Sequence, residues 1–207
     1  MTAWTVPPMW RGKTVAILAS GPSMSSEVAE LIRRSLFPTI AVNTTFRLAP
    51  WADVIYGADV LWWEHHAREV APLAAIKVCC DAVANVAGLR YLKNTGKVGF
   101  DKDPSCTRTG GNSGFQAIHL ALHAHAARIL LCGFDMRGVN GVHHHHGKHP
   151  EPLRNAGEGI YGRWLPLFAA LADEANERGT EILNCTPGSA LTLWPQVNLE
   201  EVLFVET

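Results

Sequence analysis

Short apolar runs alternate along the chain with longer segments in which the apolar positions have helical spacing. The apolar runs are TVAILAS (14–20), TIAVN (39–43), DVIYGAD (53–59), IKVCCD (76–81), RILLCGFD (128–135) and TEILNCT (180–186). Runs this short, without polar alternation, are typical of strands buried on both faces of a parallel sheet. The segments with helical spacing are SEVAELIRRS (26–35), LWWEHHAREVAPLA as far as Pro72, GNSGFQAIHLALHAHAA (111–127) and RWLPLFAALADEANERG (163–179).

Two sequence signals mark where helices begin and end. Ser25 or Ser26 is a suitable N-cap for the first helix, and Gly179 is a suitable residue to end the last one. Strands alternating with helices in this order indicate a parallel sheet that helices cover on both sides. The sequence therefore predicts an α/β fold, namely a Rossmann-like three-layer α/β/α domain with a mostly parallel sheet.

Length, composition and charge narrow the class of protein. The chain has 207 residues, 47% hydrophobic and 18% charged, which suits a single folded domain over residues 1–207. A net charge of -1 and a pI near 6.8 do not indicate the positively charged surface that is typical of nucleic-acid-binding proteins.

The start MTAWTVPPMWRGK does not read as a signal peptide, and no apolar stretch approaches the roughly 18 residues of a spanning helix. The five cysteines include no CxxC pair, and four lie in apolar runs, which indicates reduced, buried thiols. We therefore expect a cytoplasmic protein with no membrane partner. The sequence leaves a homo-oligomer open.

The turn ASGPSM (19–24) directly follows the first predicted strand. In parallel α/β sheets, ligands bind beyond the carboxyl ends of the strands, where the strand order reverses. Gly21 leaves the backbone accessible, Pro22 fixes the turn, and Ser23 supplies a hydroxyl, while the helix that follows opens with free amides. These three residues are predicted to hold a phosphate or carboxylate. An ordinary strand-to-helix turn would have the same sequence.

The segment TRTGGNSGFQAI (107–118) precedes the most regular predicted helix. Small residues and exposed amides at a helix start favour anion binding. This segment is the second candidate phosphate cradle, formed by Gly111, Asn112, Ser113 and Gly114.

Polar residues also end the second and third predicted strands. Asn43 and Thr44 follow the second strand, and Asn43 could serve a ribose or the edge of a base or simply form a turn. Asp59 ends the third strand, where it could hold a sugar hydroxyl or a metal, or cap the next helix.

The segment FDMRGVNGVHHHHGKHP (134–150) contains five histidines within seven positions. Because Asp135 ends a predicted strand, residues 136–158 are expected to form a His-rich loop over the ligand site. His144, His146 and His149 could bind a divalent metal with Asp135 or Asp59, and imidazole favours Zn, Ni, Co or Mn over Mg.

Two other interpretations of this loop stay open. In one of them, a histidine is the general base, and another stabilises phosphate charge together with Lys148 and Arg154. In the other, the segment is a solvated polar loop. Adjacent histidines of an extended segment point in opposite directions, so about half of them at most can serve one site. The pair His119 and His123, four residues apart on a helix, suits a metal or the polar edge of that helix.

Four motifs in order, ILASGPSM, AVNTTF, GNSGFQAIHLALHAHAARILLCGFDM and ILNCTPGSAL, resemble one group of nucleotide-using transferases. The group includes bacterial CMP-sialic acid-dependent sialyltransferases, motility accessory factor proteins and archaeal 6-hydroxymethyl-dihydropterin pyrophosphokinases. The resemblance covers residues 13–60 and 107–192, and each motif is short. Small phage-borne proteins are similar as well, with an H-x-H-G-x-H-P segment at the position of the His-rich loop.

The resemblance implies roles for individual residues. The turn at Gly21, Pro22 and Ser23 matches the loop that holds the donor phosphates, and Asn43 matches an Asn lining the same site. The remaining matches are Ser113 and Gly114 beside the nucleotide, and Cys185, Thr186 and Pro187 near the cytidine of a CMP-linked donor. The chain departs from the sialyltransferases at Tyr161 and Gly162, near which their pattern has a catalytic histidine, and its length leaves little room for their lid.

Together these features predict a transferase, foremost a glycosyltransferase, that binds a nucleotide or nucleotide-sugar and a small-molecule acceptor of unknown identity. Asp135, His144, His146 and His149 would act at the leaving phosphate or on the acceptor. One alternative is a metal-dependent pyrophosphokinase acting on a small alcohol. Another is a non-catalytic nucleotide-sensing or interaction domain.

Overall fold

The computed structural model describes residues 3–80, 86–153, 155–157 and 159–205; Asp81 of the fourth predicted strand and Arg154 of the His-rich loop lie outside them. Seven parallel strands form the main sheet in the order β5-β4-β3-β2-β1-β8-β9. Their bounds are β1 Thr14–Leu18, β2 Thr39–Val42, β3 Val54–Tyr56, β4 Ile76–Cys79, β5 Leu89–Tyr91, β8 Arg128–Cys132 and β9 Glu181–Asn184. A separate two-stranded parallel sheet joins β6 (Lys93–Asn94) to β7 (Cys106–Thr107).

The described residues also form six α-helices and two 3-10 helices, all between strands except the last α-helix, which follows β9. The α-helices are α1 Ser26–Ser35, α2 Val60–Val70, α3 Ser113–His123, α4 Ile160–Trp164, α5 Ala169–Arg178 and α6 Leu199–Val205. Ser25 is the N-cap of α1, because its side chain accepts a hydrogen bond from the backbone N of Val28, and Gly179 ends α5 with a φ of 67°. Both predicted caps are confirmed.

Alternate residues of β1 face opposite helical layers. Val15 and Ile17 belong to the core that includes α3 and α5 residues, whereas Ala16 and Leu18 belong to the core that includes residues of α1 and α2. All four side chains are completely buried. Burial on both faces is the physical reason for the continuous apolar runs. The predicted Rossmann-like three-layer α/β/α fold is therefore confirmed.

Several element boundaries differ from the prediction. The second strand ends at Val42, because Asn43 has a φ of 50° and begins a 3-10 helix that extends to Arg47. The predicted helix 163–179 is divided into α4, a 3-10 helix and α5, and Pro166 lies at the division. The prediction also missed β5, β6, β7 and α6. The three missed strands have only two or three residues each, too few for a periodic pattern.

The described helices and cysteines bear on two further expectations. All five cysteines are free in the structure, and their predicted burial is confirmed. No helix in the described part of the chain combines the length and apolar character needed to cross a membrane.

Candidate functional site

A cavity of about 670 Å³ lies at the carboxyl ends of the parallel strands. It is located where the strand order reverses: the chain proceeds outward from β1 to β5 and then returns to the other side of β1 with β8. This is the general ligand-binding position in open parallel α/β sheets. The cavity brings together the turn after β1, the start of α3 and the His-rich segment, as the sequence predicted.

Ten of the predicted site residues line this cavity. Those that line it are Gly21, Asn43, Asp59, Gly111, Asn112, Ser113, Gly114, Asp135, His144 and His149. Pro22, Ser23, Thr44, His146 and Thr186 lie outside its lining.

The turn after β1 binds a carboxylate of the protein itself. The backbone N of Ser23 lies 3.2 and 3.3 Å from the two carboxylate oxygens of Asp135, and its hydroxyl donates to Oδ2 at 2.8 Å. A Cβ on Gly21 would stand 2.0 Å from the same Oδ2 and 2.4 Å from the carbonyl oxygen of Gly133. The small residue at position 21 therefore makes room for the segment after β8, which corrects the expectation that it makes room for a ligand.

Asp135 is the most buried carboxyl group at the cavity, with 3% of its surface exposed. Burial raises its pKa above the usual 3.8, while the two hydrogen bonds from Ser23 and the charge of Arg137 act in the opposite direction. The phenol of Tyr161 has a raised pKa, first because it is partly buried and then because Asp135 is negative. Tyr161 therefore stays protonated at neutral pH.

The second predicted cradle is also packed against protein atoms. Asn112 caps α3 by accepting a hydrogen bond from the backbone N of Phe115 at 2.8 Å, and the Ser113 hydroxyl accepts one from Ala58 at 3.2 Å. A Cβ on Gly111 would meet the indole of Trp164 at 2.9 Å, and one on Gly114 would meet the ring of Phe134 at the same distance. Ser113 and Gly114, the first two residues of α3, nevertheless line the cavity.

Asn43 and Thr44 have different roles, although they are adjacent. Asn43 lines the cavity in a left-handed conformation, and its Oδ1 is buried without a hydrogen-bond partner among the described residues. Thr44 instead accepts a hydrogen bond from the indole nitrogen of Trp62 at 3.1 Å and is 2% exposed. The predicted binding role of Thr44 is therefore replaced by a role in holding Trp62, which itself lines the cavity.

Thr186 does not line the cavity and instead hydrogen-bonds to the backbone of β8 and of the segment that follows it. Its hydroxyl accepts a hydrogen bond from the backbone N of Phe134 at 2.9 Å and donates to the carbonyl of Leu131 at 3.3 Å. Thr186 is 1% exposed, and neither Cys185 nor Pro187 lines the cavity. The expectation that this turn contacts a cytidine is not supported by its position.

The His-rich segment is attached to the sheet by a histidine that the prediction omitted. The backbone N of His145 donates to the carbonyl of Ser20 at 3.0 Å, and its Nε2 lies 3.3 Å from the hydroxyl oxygen of Thr45. These two contacts hold the segment above the turn that follows β1. His145 thereby fixes which of its neighbours reach the cavity.

The rings of His144, His146 and His149 form a cluster with centroid separations of 5.2, 5.2 and 4.5 Å. Burial, followed by the neighbouring histidines, lowers the pKa of His144 to about 4 and that of His146 to about 3. The rings of His144 and His146 are parallel to within 4°. In the described part of the chain, no group of three or more His, Cys, Asp or Glu side chains is arranged to hold a metal ion.

Several cavity residues were missed by sequence reasoning, and most of them come from the segment after β8. Arg137, Tyr161 and Trp164 all line the cavity, as does His143, which belongs to the predicted His-rich segment. The aromatic residues of IYGRW (160–164) were a signal that could have found two of them. Lys148 is exposed and does not line the cavity, and Arg154 lies outside the described residues.

No family model matches the chain, and no curated protein matches it. Among solved structures it is similar to the enzyme WbmH of Bordetella bronchiseptica in complex with NAD+, with 12% identity and a TM-score of 0.29 over 84% of this chain and 55% of that one. It is also similar to D-allulose 3-epimerase from Methylomonas sp., with 16% identity and a TM-score of 0.25 over 100% of this chain and 60% of that one. The chain spans less than two thirds of either relative.

Proposed function

We propose that this protein is a transferase that binds a nucleotide or nucleotide-sugar, with glycosyl transfer as the leading reaction. The observation that supports this most is the position of the cavity, since it lies where the strand order of a parallel α/β sheet reverses. Its volume of about 670 Å³ is in the range of small-molecule sites.

The side of the cavity at α3 suits the phosphates of such a donor. Ser113 and Gly114 begin α3 at the cavity, and Ser113 adds a hydroxyl there. Arg137 lines the same cavity and supplies a guanidinium, which matches phosphate geometry. The turn after β1 is less suited, because its donors already bind Asp135.

Other parts of the cavity suit a base and a sugar. The buried Oδ1 of Asn43 has no partner in the described part of the chain, so an N–H or O–H of a ligand would satisfy it. Asp59 offers a carboxylate to sugar hydroxyls, and Trp62, Tyr161 and Trp164 offer aromatic surface.

In this proposal Asp135, His144 and His149 act near the leaving phosphate or the acceptor, since all three line the cavity. His146 lies outside the lining and would act only through its contacts with His144 and His149. The glycosyl-transfer proposal is made without a metal, whereas pyrophosphoryl transfer would need a divalent ion. Metal dependence therefore separates the glycosyl-transfer proposal from pyrophosphoryl transfer.

Thermal-shift measurements with CMP, UDP, GDP and ATP, each with and without Mn²⁺ or Zn²⁺, test the proposal. We expect a metal-independent rise in melting temperature with a nucleotide or its sugar-linked form. Arg137→Ala should remove this rise, whereas Arg11→Ala, at the amino ends of the strands, should keep it. A rise only with ATP and metal would favour the pyrophosphokinase, and binding without turnover of any donor would favour a sensing domain. No rise with any nucleotide would overturn the proposal.

A further inference from the structure

His143 and Tyr161 form a hydrogen-bonded pair in the cavity. The Nδ1 atom of His143 lies 3.1 Å from the hydroxyl oxygen of Tyr161, and the two rings are nearly parallel with centroids 5.8 Å apart. Both residues line the cavity together with Asp135. The imidazole lies directly against Gly138, where a Cβ would stand 2.9 Å from Cε1. The ring is therefore held between the backbone at position 138 and the phenol.

His143 is in a different environment from the other histidines of the segment. His144, His146 and His149 contact one another, and His145 contacts the ring of His146 and the hydroxyl of Thr45. His143 instead has a phenol as its partner. A second group that orients an imidazole is the usual arrangement for a histidine that transfers protons.

We propose that His143 is the general base that activates the acceptor hydroxyl, and that Tyr161 orients His143 and assists the leaving phosphate. This inference rests on the proposed transferase function. The acceptor oxygen forms a bond to the transferred group of the donor, and the bond from that group to the nucleotide phosphate breaks. The proton of the acceptor hydroxyl moves to Nε2 of His143. The electron pair of the broken bond stays on the phosphate oxygen.

The step needs the tautomer of His143 that is protonated at Nδ1, and the Tyr161 oxygen is placed to accept that proton in a hydrogen bond. When Nδ1 of His143 carries the proton and donates it to the Tyr161 oxygen, Nε2 has a free lone pair and can act as a base. The Tyr161 hydroxyl then keeps its own proton, which it can donate to the departing phosphate oxygen. Because burial and the charge of Asp135 raise the pKa of Tyr161, the phenol is protonated at neutral pH and able to donate.

The test uses the full chain and a panel of CMP-, UDP- and GDP-sugars, with release of free nucleotide as the readout. His143→Ala should lower kcat about 10²- to 10⁴-fold, the usual contribution of a general base. Imidazole added to the buffer should restore part of this activity, because it can occupy the space left by the ring. Tyr161→Phe should lower kcat by a smaller factor. His125→Asn and Tyr91→Phe are the matched controls, since neither residue lines the cavity.

Calorimetric titration with the free nucleotide separates this inference from the proposed function. If the nucleotide binds to the His143→Ala variant as to the wild type while turnover falls and imidazole rescues it, the inference is supported. Unchanged turnover, or a loss that imidazole does not rescue, would overturn it and leave the transferase proposal intact. Absence of nucleotide binding or turnover in the wild-type protein would overturn both.

Discussion

Two histidine side chains are buried on α3, and we therefore predict that the protein loses stability when the pH falls from 8 to 5. His119 is 0% exposed, accepts a hydrogen bond from the backbone N of Asp101 at 3.1 Å and stacks on Phe100 at 4.1 Å. His123 is 3% exposed and donates to the carbonyl of Cys106 at 3.2 Å. Burial lowers the pKa of His119 to about 2 and that of His123 to about 4. Both rings are therefore neutral in the folded protein.

The size of the effect follows from the difference in proton binding between the folded and unfolded chains. Below pH 6.5 the unfolded chain protonates both imidazoles, whereas folded His123 stays neutral down to about pH 4 and folded His119 lower still. Stability therefore rises with pH through this window and is lost as pH falls. At pH 5 the cost is about 2 kcal/mol for each imidazole relative to pH 8. Together they would lower the melting temperature by roughly 8 to 15 °C.

Urea unfolding monitored by tryptophan fluorescence at pH 8, 6 and 5 measures this dependence. His123→Leu should remove about 2 kcal/mol of the pH-dependent loss, the contribution of one imidazole. His119 and the histidines 144–146, whose pKa values are also lowered by burial, keep their contributions. His65→Ala is the matched control, because His65 is exposed on α2 and should leave the dependence unchanged. If His123→Leu and the wild type lose the same free energy of unfolding between pH 8 and 5, the assignment to buried neutral imidazoles is wrong.

Three further predictions concern the segments around the cavity. Gly21→Ala should destabilise the protein by about 1–3 kcal/mol in urea unfolding, because its Cβ overlaps the carboxylate of Asp135; unchanged stability would contradict the packing. Ser23→Ala removes a hydroxyl that lowers the pKa of Asp135, so the pKa should rise further in a titration followed by carboxyl-carbon NMR. Thr186→Val should cost about 1–3 kcal/mol, because the backbone N of Phe134 loses its acceptor, and thermal unfolding would show the loss.

The layered sheet could be predicted because strands that are buried on both faces are apolar at consecutive positions. Residues 15–18 are all apolar for this reason, and their alternation between the two helical layers needs no polar positions. The elements at the edge of the sheet show no such continuous apolar pattern. Strand β5 lies at the edge and follows Gly88 closely, and β6 has only two residues. Patterns of three residues or fewer do not distinguish a strand from a turn.

The location of the site could be predicted from the sequence, whereas the hydrogen-bond partners of its residues could not. Gly21 and the start of α3 meet at the cavity because β1 ends at this edge of the sheet, and because α3, which leads into the parallel strand β8, begins there. Ser23 and Asp135 are 112 residues apart, and the sequence shows a donor and an acceptor without showing that they bind each other. Tyr161 was overlooked because its place in the cavity depends on how the segment after β8 folds back. The contact between His145 and Ser20 helps to fix that path.

The hydrogen bonds between Asp135 and the turn after β1 mean that this turn already holds an anion that cannot diffuse away. Its local concentration is set by the covalent chain, so free phosphate or sulfate at ordinary buffer concentrations competes poorly for the donors of Ser23. A nucleotide in this cavity would gain its affinity elsewhere, from Arg137 and the start of α3, the aromatic rings and the unsatisfied Asn43 oxygen. In such a site the phosphates are bound on the side of α3 and Arg137 and not by the turn after β1, and selectivity depends on the base and the sugar.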